Sequence, residues 1–280
     1  MYKAIVLDLD GTTLTEFNTV NDTLTGYVEE LRQNGTLVFI ATGRTLKEVR
    51  DVLPPRFQVD GTVTANGMAA FLGEKQISGH ALPGHLVKNL ALQAREWGIY
   101  YEIHPNDGPR TALEQDRAFM TDVVTEPKPE AVHENEWLSR QEAVQSKIEW
   151  TNELQAENAA KIYFFSRDKG AMDQWKAELE KVKKDIAFTT ASSTHHNVEV
   201  TVEGVSKATG VQQLLERFHL KKEHILAVGD GENDLPLFEL AGHCVAMKNA
   251  TDFVKQHADE VTEFSYKEDG LYQFLKKKLS

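Results

Sequence analysis

The sequence holds one cysteine, Cys244, among 280 residues. It has no internal disulfide, and a single thiol suits a reducing, cytoplasmic location. Long apolar runs are missing as well. The start, MYKAIVLDLDG, reaches acidic residues before it attains membrane-spanning length. No apolar stretch leads to a small-residue cleavage site, so no secretory leader is expected. Positive charge is scarce: 31 Lys and Arg stand against 43 Asp and Glu, for a formal net charge of -12. Such a field disfavours nucleic acid and anionic membranes as partners. It also repels a phosphorylated ligand at long range, so a phosphate site here must carry its own local cations. Internal repeats and low-complexity tracts are absent too. What remains is the composition of a soluble globular enzyme, with 41% hydrophobic residues to build a core. The length suits one large domain or two smaller ones. A monomer is the default expectation.

Three short apolar runs end in polar residues of catalytic type. KAIVLDLDGT leads into Asp8 and Asp10, TLVFIATGR into Thr42, Gly43 and Arg44, and HILAVGDGEND into Asp230. Continuous apolar runs of this length suit strands covered on both faces, as in a parallel sheet. Helical spacing follows over Asn21 to Gln33, with Gly35 as a stop, and over Lys207 to His219. This alternation predicts an α/β doubly wound fold. In such folds, sites gather outside the carboxyl ends of the strands, where strand order reverses. All three polar clusters lie at such ends.

The middle of the chain is richer in charge and includes the acidic stretch TEPKPEAVHENEW. It reads as α+β: helices near Leu86–Trp97 and over AMDQWKAELEKVKK, and strands near Ile99–His104 and over KIYFFS, IAFTTAS and NVEVTVE. The expected division is a core over 1–82 and 204–280, with an inserted domain over 83–203. Lys276 to Lys278 read as cations ending a helix favourably.

Each motif supports a chemical reading and a bland one. In Asp8-Leu9-Asp10-Gly11-Thr12, one carboxylate can bind metal and attack phosphorus while the other moves the proton of the leaving oxygen. Gly11 permits a tight turn with exposed N–H groups, and Thr12 adds a hydroxyl. The bland alternative is a strand end carrying two solvated acids. Thr42, Gly43 and Arg44 precede a helix; they suit phosphate oxygens, with Arg44 as a clamp. Taken alone, they read more simply as a capped helix start. Lys207 opens a helix, where a cation is unfavourable unless an anion sits beside it; an isolated lysine is more often at the surface. Gly229 to Asp234 offers hard oxygen ligands in a flexible turn, suited to Mg2+. Asp230 is the best ligand there, Asp234 and Glu232 are ligands or supports, and Asn233 is a phosphate contact. The spacing fails the calcium-loop pattern, which needs a later Glu.

Together and in this order, DLDGT, the Thr of ATGR, the Lys of GVSK and GDGEND resemble the four motifs of the haloacid dehalogenase superfamily of aspartate-nucleophile phosphatases. AGHCVAMKNA (Ala241–Ala250), KEDGLYQFL and NGM (Asn66–Met68) resemble its Cof-type branch, subfamily IIB. The long insert between Thr42 and Lys207 looks like a C2-type cap. Thr13 and Ala208 depart from the family pattern, which more often has Leu and Gly there. The resemblance implies a Rossmann-like core with a parallel sheet and an α+β cap. It also implies hydrolysis of a small phosphomonoester, such as a sugar phosphate, through an aspartyl-phosphate. In that scheme Asp8 is the nucleophile, Asp10 the acid and base, and Thr42 and Lys207 hold phosphoryl oxygens. Mg2+ is held by Asp8, the Asp10 carbonyl and Asp230, with Asp234 behind them. A phosphotransferase or phosphomutase on the same core, or a non-enzymatic phosphate-metabolite binding protein, are the alternatives.

In the insert, Glu102, His104, His195 and His196 are candidates for lining a cleft, though each alone reads as an exposed strand residue. Trp97, Trp137, Trp150 and Trp175 read as core of the insert. Cys244 reads as buried and inert. His133 with Glu134 and Glu136 reads as a solvated loop rather than a second metal site.

Overall fold

The computed structural model describes residues 2–192 and 194–279. The chain divides into two compact units: a core, running up to Gly79 and resuming at Val205, and an insert, His80–Gly204. The core begins with strands β1 (Ala4–Leu7), β2 (Leu37–Ala41), β3 (Gly61–Thr64), β4 (Ala69–Leu72) and β5 (Lys75–Gly79). The insert contributes β6 (Tyr100–Pro105), β7 (Arg110–Leu113), β8 (Ile148–Thr151), β9 (Ala159–Phe165), β10 (Phe188–Ala191) and β11 (Asn197–Val202). The core resumes with β12 (Ile225–Gly229), β13 (His243–Ala246) and β14 (Glu260–Val261).

The core sheet has the order β14-β13-β12-β1-β2-β3-β4-β5. From β14 to β3 every pair is parallel. β4 and β5 then extend the edge antiparallel, so the expected parallel sheet carries a hairpin whose outer strand, KQISG, has no apolar run. The central strands are buried on both faces because alternate residues serve two apolar layers. Ile5, Leu7, Val38, Ile40, Leu226 and Val228 join one layer with helices Asp22–Gln33 and Gly270–Leu279. Ala4, Val6, Phe39, Ala41 and Ala227 join the other with helix Lys207–Arg217. Burying each such Leu, Ile, Val or Phe contributes about 1.5–3 kcal/mol over leaving it exposed.

Strand β1 sits between β12 and β2. The chain fills the sheet outward from β1 in one direction with β2 and β3, and returns on its other side with β12 to β14. Order therefore reverses at β1, and the crevice expected for a ligand opens at its carboxyl end.

The insert sheet has the order β10-β11-β9-β6-β7-β8 and is antiparallel except for β7 with β8. Tyr101, Ile103, Ile162, Phe164, Val198 and Val200 form an apolar face packed with Leu86, Leu90, Met172 and Trp175 from helices Gly84–Glu96 and Lys169–Val182. Side chains alternate along a strand, so Tyr100, Glu102, His104, Lys161 and Tyr163 turn to the opposite face.

Those residues correct part of the sequence reading. Glu102 and His104 are buried rather than exposed, because Arg140 and Arg110 satisfy Glu102 at 2.5 and 3.1 Å and His104 Nε2 meets it at 2.8 Å. His196 is buried too, with Nδ1 3.0 Å from the Ser166 carbonyl, while His195 is exposed. Trp137 and Trp175 are core residues, Trp150 is half-buried, and Trp97 is 45% exposed at its helix end. His133 precedes helix Glu134–Glu142, and Glu136 accepts hydrogen bonds from Tyr163, Thr194 and Asn197 rather than facing solvent in a loop. No helix among the described residues is long and apolar enough to cross a membrane.

Candidate active site

Asp8 is the first residue beyond β1, and its N–H donates to the Val228 carbonyl at 3.0 Å. The chain then makes a wide turn through Leu9–Thr13, closed by Thr13 Oγ1 donating to the Asp8 carbonyl at 2.5 Å. Gly11 holds φ at +71°, and a Cβ there would lie 2.1 Å from Asp230 Oδ2. Only glycine allows this turn and the close approach of Asp230 together.

The Asp8 carboxylate is buried and meets Lys207. Lys207 Nζ lies 2.6 Å from Asp8 Oδ1 and 2.7 Å from Asp234 Oδ1, and the residue is 0% exposed. The surface-lysine reading therefore fails. Helix Lys207–Arg217 starts close to the sheet because Gly67, at φ +101°, leaves room for the Ser206 carbonyl, which a Cβ would approach to 2.0 Å. Ser206 and Thr209 cap that helix start, so Lys207 is free to reach inward. The buried carboxylates offset its unfavourable place at a positive helix end.

Asp234 is a support. Its Oδ2 accepts from the N–H groups of Asp230 and Gly231, both at 3.0 Å, and its Oδ1 accepts from Lys207. Asp230 Oδ2 accepts from Asn249 Nδ2 at 2.9 Å, and the same amide donates to the Gly11 carbonyl at 2.9 Å. Asn249 was not singled out from sequence. Its signal was a fourth apolar run, HCVAM, ending in polar Lys248 and Asn249 as the other three runs end in polar groups.

One carboxylate oxygen from each of Asp8, Asp230 and Asp234 lies within 4.8 Å of the others. Asp234 already accepts from three donors, two at Oδ2 and one at Oδ1. Asp8 Oδ2 and Asp230 Oδ1 accept no hydrogen bond among the described residues. Burial, opposed by Lys207 and joined by repulsion from Asp234, Asp230 and Asp10, pushes the Asp8 carboxyl well above the usual range. Burial and then Asp234 push Asp230 up to about 7. Burial alone would lower Lys207, but Asp234 and Asp8 together raise it. With three carboxylates against one lysine, the cluster is two positive charges short, and its two donor-free oxygens are hard. The residues fit a divalent cation of the Mg2+ type.

The remaining predicted residues make contacts of their own. Arg44 grips Asp10, with Nε 2.9 Å from Oδ2 and Nη2 2.6 Å from Oδ1; Nη2 also donates to Asn18 Oδ1 at 2.9 Å. Thr42 is buried and its Oγ1 accepts from the Arg44 N–H at 3.1 Å. Gly43 faces the Asn66 amide, and Asn233 Nδ2 donates to Asn66 Oδ1 at 3.0 Å. Thr12 is buried and lines a small cavity with Thr13, Asn21 and Tyr266. Glu232 is exposed. Cys244 is buried, and burial pushes its thiol up to about 11, as an inert thiol requires.

Comparison with known proteins places this geometry. Residues 5–275 match the haloacid dehalogenase-like hydrolases. A 5-amino-6-(5-phospho-D-ribitylamino)uracil phosphatase of Bacillus subtilis, YwtE, is 27% identical, with 99% of this chain and 98% of that protein covered. A haloacid dehalogenase-like hydrolase structure from B. subtilis superposes with TM-score 0.79 at 23% identity, covering 99% of this chain and 100% of the other. A phosphatase of the haloalkanoate enzyme superfamily, BT1666 from Bacteroides thetaiotaomicron, superposes with TM-score 0.71 at 26% identity, covering 99% and 95%.

Proposed function

The chain belongs to the haloacid dehalogenase-like hydrolase family, and we propose that it hydrolyses small phosphomonoesters with Asp8 as nucleophile. The observation that carries this reading is the Asp8 carboxylate, buried at the carboxyl end of the strand where sheet order reverses and held through Oδ1 by Lys207. Lys207 holds one oxygen of the nucleophile in place. A buried carboxylate with one oxygen free of donors has little to reorganise before attack.

In the proposed reaction an Asp8 oxygen forms a bond to phosphorus as the ester oxygen leaves. Asp10, in its acid form, gives its proton to that oxygen. The resulting Asp10 carboxylate then takes a proton from water as the water oxygen attacks phosphorus. The bond between Asp8 and phosphorus breaks, and inorganic phosphate and Asp8 are released. Thr42, Gly43, Asn233 and the N–H groups of the Gly11–Thr12 turn are the proposed phosphate contacts. Asp8, Asp230 and the Asp10 carbonyl would hold Mg2+, which supplies charge neutralisation for the phosphoryl oxygens. The name of the B. subtilis relative joins phosphate to a ribityl chain, which supports a sugar-like alcohol as leaving group.

Replacement Asp8→Asn tests the reading. The variant should fold, checked by circular dichroism, and release no phosphate from a panel of sugar phosphates and p-nitrophenyl phosphate. Near wild-type turnover in the pure variant overturns it.

A further inference from the structure

Arg44 occupies an unexpected position for a substrate clamp. Its guanidinium is committed to Asp10, with Nε and Nη2 together engaging both carboxylate oxygens, at 2.9 Å to Oδ2 and 2.6 Å to Oδ1. Asn18 Oδ1 takes a further Nη2 proton at 2.9 Å. Asn18 sits in the left-handed region, φ +54°, in a tight turn closed by its N–H to the Thr15 carbonyl at 3.1 Å and by Thr15 N–H to the Thr19 carbonyl at 2.8 Å. The Arg44 backbone is fixed separately by its N–H to Thr42 Oγ1 and its carbonyl to the Ala65 N–H. Asp10, by contrast, has a side chain 55% exposed on a turn and, among the described residues, no hydrogen-bond partner besides Arg44. Left to itself, such a carboxyl would sample several rotamers in water.

We propose that Arg44, steadied by Asn18, is the positioning residue that aims Asp10 at the ester oxygen. This rests on the hydrolase reading above, in which Asp10 moves the proton. A bidentate fork fixes the plane as well as the place of a carboxylate, which a lysine does not do. Aim matters because a general acid works only within hydrogen-bond reach of the atom it protonates. Arg44 acts through Asp10 and so affects the proton transfer more than the phosphoryl contacts.

The test compares leaving groups. Nitrophenolate leaves p-nitrophenyl phosphate without a proton, whereas an alkoxide leaves glycerol phosphate only with one. The ratio kcat/KM reports transfer to Asp8, the first irreversible step, for each ester. In Arg44→Ala the aryl-to-alkyl ratio of kcat/KM should rise at least about tenfold, a part of the 10²–10⁴-fold that general acid catalysis supplies. Arg44→Lys should recover only part of the alkyl rate. Asn18→Gly, which keeps the left-handed backbone and removes the amide, should shift the ratio in the same direction by a smaller factor. Adding Arg44→Ala to Asp10→Asn should leave the ratio of Asp10→Asn where it is. An equal fall for both esters, or an additive effect on Asp10→Asn, overturns the proposal and returns Arg44 to a phosphate clamp or a structural role. Activity in Asp8→Asn would instead sink the hydrolase reading, whatever Arg44 does.

Discussion

Each unit buries a charge cluster, and the two are built from the same groups in opposite proportion. In the core, Lys207 lies between Asp8 and Asp234, with Asp230 alongside. In the insert, Glu102 lies among Arg140, Arg110 and His104. Burial disfavours the charged form of every member. In the core the surplus of carboxylates adds to that cost, and Asp8 and Asp230 are pushed up. In the insert burial also pushes Glu102 up, but Arg140 and then Arg110 outweigh it and hold its carboxyl well below the usual range. Arg140 is further stacked on the Tyr163 ring, 4.2 Å from its centroid. The core cluster is incomplete without another cation; the insert cluster already has its own. Buried charge alone does not mark a reactive site, and the sign of the imbalance separates the two cases.

The largest expected difference comes from removing each cluster's central group. Lys207→Met removes the cation that touches both Asp8 and Asp234. Its kcat on an aryl phosphate should fall about 10²–10³-fold, as for loss of one electrostatic contact in a catalytic centre. A fall of less than about threefold would make Lys207 a structural residue only. Glu102→Gln keeps the shape of the insert cluster but removes the buried negative charge that Arg140 and Arg110 both contact. It should cost on the order of 3–5 kcal/mol of stability, read from urea unfolding at pH 7. A cost within experimental error of zero would show that the arginines find other anions, and would remove the contrast drawn above.

A cation should distinguish the clusters next. At one hundred times its dissociation constant, Mg2+ should stabilise the wild-type chain by about 2.7 kcal/mol in the unfolding of the core. Asp230→Asn should lose most of that increment, and Glu102→Gln should keep it. The readout is unfolding, so it stands apart from turnover. Equal stabilisation of wild type and Asp230→Asn would place the ion elsewhere.

The two clusters also differ in how far they could be read from the sequence. The core was legible because its strands are buried on both faces, and each run therefore stops abruptly at a polar residue of the candidate site. Asp8, Asp10 and Asp230 stand out by that rule, and Lys207 does so by the order of the motifs. What Arg44 touches was not legible, since Asp10 lies 34 residues earlier and only the fold brings the pair together. The insert cluster was hidden by its own periodicity. YYEIHP alternates as a half-exposed strand would, with Glu102 and His104 on the apparently wet side. Arg140, which lets Glu102 be buried, comes 38 residues later on a helix whose sequence is mostly polar. The hairpin of β4 and β5 was missed for a related reason. β5 is an edge strand with exposed and half-exposed residues, so no apolar run marks it.

The smallest expected effect, and the most direct check on sign, is the pH dependence of the two clusters in metal-free protein. Glu102 has a depressed folded pKa, so its stabilising contribution is present in full above the unfolded carboxyl value of about 4.3 and is lost as pH falls through the folded value. The stability gap between wild type and Glu102→Gln should therefore stay level from neutral pH down to about 5, then narrow in more acid solution. Asp230 works in the other direction. Its folded pKa of about 7 lies above the unfolded value, so the folded state binds the extra proton and loses stability as pH rises towards 7. In a chelator, wild type should lose stability over that rise, while Asp230→Asn should show a flatter profile. Saturating Mg2+ should flatten the wild-type slope, because a bound cation replaces the proton in offsetting the carboxylates. Urea midpoints measured every half pH unit, with and without chelator, give both slopes. Slopes of the same sign in the two clusters would show that the imbalance of charge does not govern them.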